Sequence, residues 1–487
     1  MVLPEEGYVD EFDRYAMNDI PIRLIRLIDM TFVERNDVRE HFRTSYIKRL
    51  GQPSDTVRYA ILSHRWLNQG EPTYEEIRAG TAAGPGYEKL KKFCAKAEEY
   101  NMEFAWSDTC CINKNSSTEL DESIRSMFRW YGNSAICIVH LAQSETIEDM
   151  MEDEWTERGW TLQELLAPAR IKFFNKYWVP MTGDRNDKDD KDDINEFLVS
   201  RPLLSSLRRR EPAEILETLE RATGIPYDDL RRKFCPSPSE VDKRMTWAAR
   251  RKTTRVEDVA YSLMGMFDVS LQIAYGEGGD RAFCRLIEVI MQAGDPSVLN
   301  WKGEAARHHT SRAIPRSPQS FIANRSLEFE GSGQLEMTMT SLGLRVPLVI
   351  FPLSVRSNMR AGHGYSITLD CPLCPSIKVD IDTSCRLDSI DQYALGIVNY
   401  SLIGHVPGIR GKSAGFILHR APDVFHCVPV CKPNCTAFVG LKFSPPEERF
   451  AEWKLVEEVG LVQVDFPIIP DEPVCYIDRQ YLQTVYL

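Results

Sequence analysis

The sequence predicts an α/β protein: a parallel sheet with helices on both faces, then a helical segment, then a β-rich, sandwich-like C-terminal domain. Three observations predict it. Between Val57 and Met181, short apolar runs alternate with amphipathic helical patterns, the rhythm of a parallel sheet with crossover helices. After the charged break "GDRNDKDDKDD" from Gly183, which reads as a loop or linker without a core, the periodicity is helical to about Trp301. From about Leu327, segments such as "LEMTMTSL", "YSITLD", "IKVDID", "TAFVGLKF" and "VCYIDRQYLQTVYL" alternate with period two. The expected domains are an N-terminal extension (1–56), the α/β domain (57–183), its helical extension (184–303) and the β-rich domain (304–487).

The elements follow in order. "VRYAILSHRW" is a near-continuous apolar run ending in polar residues, as a strand buried on both faces requires. "YEKLKKFCAKAEEYN" places Tyr87, Leu90, Phe93, Cys94, Ala97 and Tyr100 on one helical face. "MEFAWSDTCCIN" is a second strand. Ser116 and Glu119 form a capping-box pattern before a helix burying Leu120, Ile124, Met127, Phe128 and Tyr131, and Gly132 with Asn133 end it. "SAICIVHL" and "RIKFFNKYWVPM" are the third and fourth strands, with "RGWTLQELLAP" as a short helix between them, closed by Pro168. At about 100° per residue its stripe is Leu162, Leu165 and Leu166, which puts Trp160 and Glu164 together on the face away from the core. Further on, Thr254 and Glu257 suit a capping box before "VEDVAYSLMGMF", "DRAFCRLIEVIMQ" has helical spacing, and the glycines of "YGEGGDRAF" mark a tight turn rather than a phosphate loop, lacking its Lys-Ser/Thr ending.

At 487 residues with a net charge of −12, the chain is long enough for several cores and is a poor partner for nucleic acid, which needs local positive charge. The basic clusters "LRRREP", "LRRKF" and "WAARRKTTR" read as solvated helix faces. The longest apolar candidate, "LGLRVPLVIFPLSV", is short and carries Arg345, so no membrane span is expected. The acidic N-terminus lacks the apolar segment of a signal peptide, and a cytoplasmic location is expected. The 13 cysteines are odd in number and lie mostly in apolar runs, as reduced buried thiols do. Cys371 and Cys374 have zinc-knuckle spacing, which Cys427, Cys431 and Cys435 would complete, but the flanks read as strands and no metal is expected.

In a parallel α/β sheet, ligands bind beyond the carboxyl ends of the strands. Those ends carry Ser63, His64, Arg65 and Trp66, then Ser107, Asp108 and Cys110, then His140. Each has a structural reading too: Asp108 as a loop cap, His64 as a satisfied imidazole, Arg65 and Arg158 as partners of nearby acids.

The blocks "YAILSHRW", "AWSDTCCINK" and "RGWTLQELLAP" resemble the three signature blocks of the fungal heterokaryon incompatibility (HET) domain. "MTWAARRKTTRVEDVAYSLMGMFDV" with "YGEGGDRAFCRLIEVI" is similar to the segment that often follows it, so the resemblance runs from roughly Pro21 to Trp301. It implies a role in self/non-self recognition and regulated cell death. The HET domain is in turn similar in outline to Toll/interleukin-1 receptor (TIR) domains, which have a flavodoxin-like parallel sheet, and some of which cleave NAD with a glutamate in a W-x-x-x-E arrangement. Trp160 and Glu164 reproduce that spacing, and Ser63 matches the serine after the first TIR strand, while the TIR loop after the second strand has no clear counterpart.

The resemblance implies Glu164 and Trp160 as catalytic residues with Ser63 beside them; the strand-end positions and side-chain chemistry add Asp108 to the catalytic set and place His64, Arg65, Trp66, Cys110 and Arg158 around the substrate. Glu164 would stabilise the oxocarbenium-like ribose, Trp160 would stack on the nicotinamide or close the pocket wall, Asp108 would orient a ribose hydroxyl, His64 would act as general acid or base and the arginines would hold the pyrophosphate. NAD is then a substrate and no cofactor is required. Activation is expected through a homo-oligomer or a partner protein, with the C-terminal domain as sensor or restraint. Two other readings stay open: a cysteine hydrolase using Cys110 or Cys111 with His64 or His140, and a non-enzymatic adaptor with Trp66 and Trp160 as interface anchors.

Overall fold

The computed structural model describes residues 5–49, 52–188, 214–308, 311, 313–322, 327, 329, 333–374, 377–383, 392–420, 453–456, 461–466 and 474–487. The chain divides into two compact units, Met1–Pro238 with Thr246–Leu286, and Ser239–Met245 with Ile287–Leu487.

The first unit begins with α1 (Glu5–Asn18), β1 (Arg23–Arg26), β2 (Thr31–Glu34), α2 (Arg35–Arg49), α3 (Pro53–Thr56) and β3 (Tyr59–His64). Next come α4 (Tyr74–Ala79), α5 (Pro85–Glu99), β4 (Phe104–Trp106), α6 (Ser117–Asn133) and β5 (Ile136–His140). α7 (Glu154–Glu157), α8 (Thr161–Leu166), β6 (Ile171–Phe174), α9 (Glu214–Thr223) and α10 (Tyr227–Arg231) follow. Of the remaining helices, α11 (Val241–Ala248) and α13 (Gly279–Met291) have residues in both units, and α12 (Asp258–Tyr261) belongs to the first.

One six-stranded sheet runs β2-β1-β4-β3-β5-β6. The four strands expected from the sequence are parallel to one another, and in chain order they lie second, first, third, fourth, a common doubly wound order. The sheet is nevertheless mixed rather than parallel. β1 pairs antiparallel with β4, and β2 with β1, so the stretch expected as an extension forms the sheet's edge hairpin. Buried Leu24 and Ile25 anchor it, and Arg23 fastens it to α6 through Glu119 at 2.9 Å.

Helices cover both faces. Side chains alternate along β3. On the face of Tyr59, Ile61 and Ser63, the Tyr59 hydroxyl donates to Trp130 O at 2.5 Å, and Trp106, opposite Ile61, meets Trp130 and Tyr131 edge-on. α6 therefore covers this face. On the face of Ala60, Leu62 and His64 lies α5, which buries Leu90 and Phe93 and places Lys96 over Phe174, the register partner of His140. The strand order reverses between β3 and β5, and in doubly wound sheets the carboxyl ends of the two strands at such a reversal are the usual ligand-binding edge.

Two sequence readings change here. The charged break is not devoid of core. Asp187 is buried and accepts from Lys172 Nζ at 2.9 Å and from Phe173 N at 2.8 Å, while buried Lys188 donates to Leu166 O and Pro168 O, the carbonyls that end α8. The capping box of Thr254 with Glu257 does not form. Glu257 is itself the N-cap of the four-residue α12, and its carboxylate accepts from Gly276 N and Gly278 N, which sit at φ +99° and +87° in the predicted glycine turn.

The second unit is β-rich and antiparallel. Its strands are β7 (Thr338–Thr340), β8 (Gly343–Ala361), β9 (Gly364–Asp370), β10 (Lys378–Thr383), β11 (Gln392–Ile397) and β12 (Ser401–Ile403). They continue with β13 (Val406–Ile409), β14 (Lys412–Arg420), β15 (Lys454–Leu455), β16 (Val462–Asp465), β17 (Cys475–Tyr476) and β18 (Leu482–Tyr486). Nine of them form one sheet around β8, and β12-β13-β17 form a second. β8 contains the apolar run that set the limit on membrane insertion, and β7, β9, β11 and β18 all pair with it. Among the described residues no helix is long and apolar enough to cross a membrane. Nor do the described residues hold a group of three or more His, Cys, Asp or Glu suited to a metal. Cys427, Cys431 and Cys435, the segment "TAFVGLKF" and the cluster "LRRREP" lie outside the described residues.

The Lys172–Asp187 pair is nearly solvent-free on both sides. Asp187→Ala is expected to cost about 3–5 kcal/mol by leaving a buried ammonium unpaired, read as a lower denaturant midpoint. A cost below about 1 kcal/mol, the range of exposed ion pairs, would mean the charged stretch does not belong to the core.

Candidate functional site

Ser63, next to last in β3, is fully buried. Its hydroxyl donates to Glu164 Oε2 at 2.5 Å and accepts from Trp155 Nε1 at 2.8 Å. Both partners come from the segment after β5. Asp153 caps α7 by accepting from Trp155 N at 3.0 Å, and its other oxygen takes the Ser144 hydroxyl at 2.8 Å, which sets the indole in the core edge-on to Phe173. The chain then turns through Arg158, Gly159 and Trp160 into α8. Gly159 is closely approached: a Cβ there would stand 2.4 Å from the Thr253 side-chain methyl Cγ2, which would have to move.

All six residues of α8 are buried, Glu164 as well as Leu162, Leu165 and Leu166. The outward face expected for Glu164 and Trp160 therefore does not exist. The leucine stripe packs inward, and the other side is covered by β3 and by the segment around Arg251. Trp160 stands at the N-cap, half-buried, and its indole donates to Asp258 Oδ2 at 2.9 Å; Asp258 also accepts from the Tyr275 hydroxyl at 2.9 Å. The tryptophan joined to Glu164 through hydrogen bonds is Trp155, not Trp160.

Burial pushes the Glu164 carboxyl up to about 8, and the charge of Asp108 adds to the rise. The Ser63 hydroxyl, the Arg158 cation and the Tyr131 hydroxyl pull the other way without overcoming it. At neutral pH the resting form is the carboxylic acid. Tyr131 also donates to Leu62 O at 2.7 Å, tying α6 to the same strand.

His64 points to the other face. Its Nε2 lies 3.2 Å from Asp108 Oδ1, and Trp66 Nε1 donates to Asp108 Oδ2 at 2.8 Å. Burial, aided by the Lys89 cation, holds the His64 pKa below its ordinary value, so the ring is neutral and its proton sits on Nε2 facing the carboxylate. Burial would raise Asp108, but the hydrogen bond and charge of His64, with Lys114, bring it below the usual carboxylate range. Lys114 stands 3.9 Å over the Trp66 ring, which is 37% exposed. Lys89 pairs with Glu71 and donates to Arg65 O at 3.2 Å.

Ser63, His64, Asp108 and Glu164 thus gather at the carboxyl edge beside β3, with Ser63 and Glu164 on one sheet face and His64 and Asp108 on the other. Arg65 turns to Glu154 at 2.8 Å. Arg158 is half-buried and near enough to Glu164 to act on its charge. Cys110 is fully buried, and its hydrogen bond to Cys111, with burial, raises its pKa well above the thiol norm, the opposite of an activated nucleophile. His140 stacks on Trp178 at 4.3 Å, and burial drives its pKa down to about 3.

Sequence reasoning missed Trp155, Tyr131, Lys89, Glu71 and Arg251. Only Trp155 had a local signal, the Asp153 cap two residues earlier.

Residues 59–148, which run from the start of β3 to the segment after β5, match the family described as Heterokaryon incompatibility protein (HET). The matched stretch holds Ser63, His64, Arg65, Trp66, Asp108 and Cys110, and ends before Arg158, Trp160 and Glu164. The chain is also similar to the vegetative incompatibility protein HET-E-1 of Podospora anserina, 38% identical over 276 residues, which is 54% of this chain and 18% of that protein. No solved structure matches the chain.

Glu164 titrates near 8 in the fold and near its ordinary 4.5 when unfolded. Between these values the folded chain keeps a proton that the unfolded chain has released, so its contribution is full below the lower value and declines as pH rises to the upper one. Glu164→Gln cannot ionise. The drop in Tm from about pH 6 to about pH 9 is expected to be smaller in that variant than in wild type. An equal or larger drop would show that Glu164 does not titrate in this window.

Proposed function

We propose that this chain acts in fungal heterokaryon incompatibility, as a cell-death protein whose first unit is TIR-like and hydrolyses the nicotinamide glycosidic bond of NAD at Glu164. The single observation that carries the reading is the buried Ser63–Glu164 hydrogen bond at the strand-order reversal, where α/β sheets bind nucleotides. The HET match and the similarity to HET-E-1 support the incompatibility role; the W-x-x-x-E resemblance supports the chemistry.

In the reaction the C1′–N bond breaks, its electron pair goes to nicotinamide, and water adds to C1′ with release of a proton. The nicotinamide ring of NAD is cationic. Brought beside Glu164 it favours the ionised carboxyl, and the cation passes to the ribose in the transition state, where the same carboxylate stabilises it. Ser63, held by Trp155, fixes the carboxyl's aim. Asp108 and His64 supply a fixed acceptor and a neutral imidazole across the edge for ribose hydroxyls, and Arg65 and Arg158 are the cations for the pyrophosphate. Because Glu164 is only 6% exposed and neutral at rest, the lone chain is held off, and opening on self-association or partner binding turns it on. The second, β-rich unit serves as sensor or restraint. In the adaptor alternative, Trp66 and Trp160 would be free anchors, but both indoles are already bonded, to Asp108 and Asp258.

Glu164→Gln is expected to lower NAD turnover by about 10²–10³ and to abolish cell killing, with the fold intact. Trp160→Ala is expected to cost less activity and more stability, through its lost bond to Asp258. Wild-type kcat/KM should rise about tenfold per pH unit below the Glu164 midpoint and level off above it. Full turnover and toxicity in Glu164→Gln would remove Glu164 from the chemistry. A Trp160→Ala loss exceeding that of Glu164→Gln would favour the adaptor.

A further inference from the structure

The basic stretch "WAARRKTTR" reads in the sequence as a solvated face, yet Arg251 within it is buried, 6% exposed. Its guanidinium spans the start of α8. Nη1 donates to Arg158 O at 2.9 Å and to Thr161 Oγ1 at 3.0 Å, and Nε donates to Trp247 O at 3.3 Å. The backbone around it docks onto the same turn. Lys252 N donates to Glu157 O at 2.6 Å, and Gly159 N donates to Lys252 O at 2.8 Å, a parallel bridge that Gly159 permits by having no side chain to meet Thr253. Nη2 is buried without a hydrogen-bond partner.

From this geometry we propose that Arg251 is a positioning residue for Glu164: it fixes the first turn of α8, and with it the place of the carboxyl against Ser63, and its cation favours the ionised, active form. The inference rests on the reading of Glu164 as the catalytic carboxyl, and adds the residue that aims it. A helix of six residues holds its own ends poorly. α8 has no side-chain cap at Trp160, and the Thr161 hydroxyl, which lies 2.6 Å from Trp155 O and 2.9 Å from Arg158 O as a donor, accepts from Arg251 Nη1. A one-turn slip would break the 2.5 Å contact to Ser63. Among the described residues, the charged group that acts on Arg251 is Glu164, and burial lowers the guanidinium to about 10, so it remains cationic at neutral pH. The other groups facing Glu164 are Ser63 from β3, Asp108 after β4, Tyr131 from α6, Cys137 from β5 and Arg158 before α8. Arg158 is half-buried, whereas Arg251 is locked, so it is Arg251 whose position does not depend on side-chain freedom.

The test uses the full chain with Arg251→Lys and Arg251→Met, each checked by near-ultraviolet circular dichroism. Infrared difference spectra against Glu164→Gln isolate the carboxyl stretch of Glu164 and follow it with pH. The expected result is a midpoint near 8 in wild type, higher in Arg251→Met, and displaced less in Arg251→Lys, which keeps the charge but not the fork. Under activating conditions, kcat for NAD should fall about tenfold or more in Arg251→Met with KM within about twofold, the signature of lost aim rather than lost binding. An unchanged or lowered midpoint in folded Arg251→Met overturns the proposal. So does a KM rise that accounts for the whole loss. If Arg251→Met does not fold, the Lys variant decides: a midpoint and kcat equal to wild type overturn the proposal. Absence of NAD turnover in wild type with the midpoint displaced as expected would fail the reaction assigned to the site and leave the positioning role standing.

Discussion

The hydrogen bond between Ser63 and Glu164 is the constraint around which the first unit is arranged. A carboxyl removed from water must be paired or protonated, and here the alternatives are balanced. Ser63 offers one donor, Tyr131 a second hydroxyl and Arg158 a cation, while Asp108 opposes ionisation from across the edge. The outcome is an acid poised about one unit above neutrality, within the reach of a bound cation or a small movement. A surface glutamate would be ionised always, and one in a purely apolar pocket hardly ever.

Everything that holds that carboxyl comes from a different stretch of chain. β3 supplies Ser63, α7 supplies Trp155, α6 supplies Tyr131, Lys188 closes the far end of α8 and Arg251 its near end. Long-range convergence of this kind makes the site cooperative with folding of the whole unit. The family match ends at residue 148, before Trp155, Glu164, Lys188 and Arg251.

Much of this was legible in the sequence, and the limits have physical causes. Four strands and their helices declared themselves because each buried run is bounded by turn residues and each helix carries one apolar face, as in "YEKLKKFCAKAEEYN". The edge hairpin did not, since β1 and β2 are four residues each and Arg23 interrupts the apolar pattern. Asp187, Lys188 and Arg251 sit in charged runs whose average is solvated, and only the tertiary partner reveals that one member of each run is buried. Glu164 was found through the resemblance of its block; helical periodicity placed it on an open face because α8 is covered on both sides by elements distant in sequence. Trp160 was assigned to the site by spacing, yet spacing cannot tell that the helix begins after it and that Asp258 claims its indole.

Cleavage of the nicotinamide bond by the first unit is the activity to be tested. The most direct measurement is nicotinamide released from NAD by purified full chain over a wide range of protein concentration, quantified by chromatography. If association opens the Glu164 site as proposed, release is expected to rise more steeply than in proportion to protein. No nicotinamide above the protein-free control at any concentration, from folded protein that self-associates or is bound to its activating partner, would contradict the proposed activity.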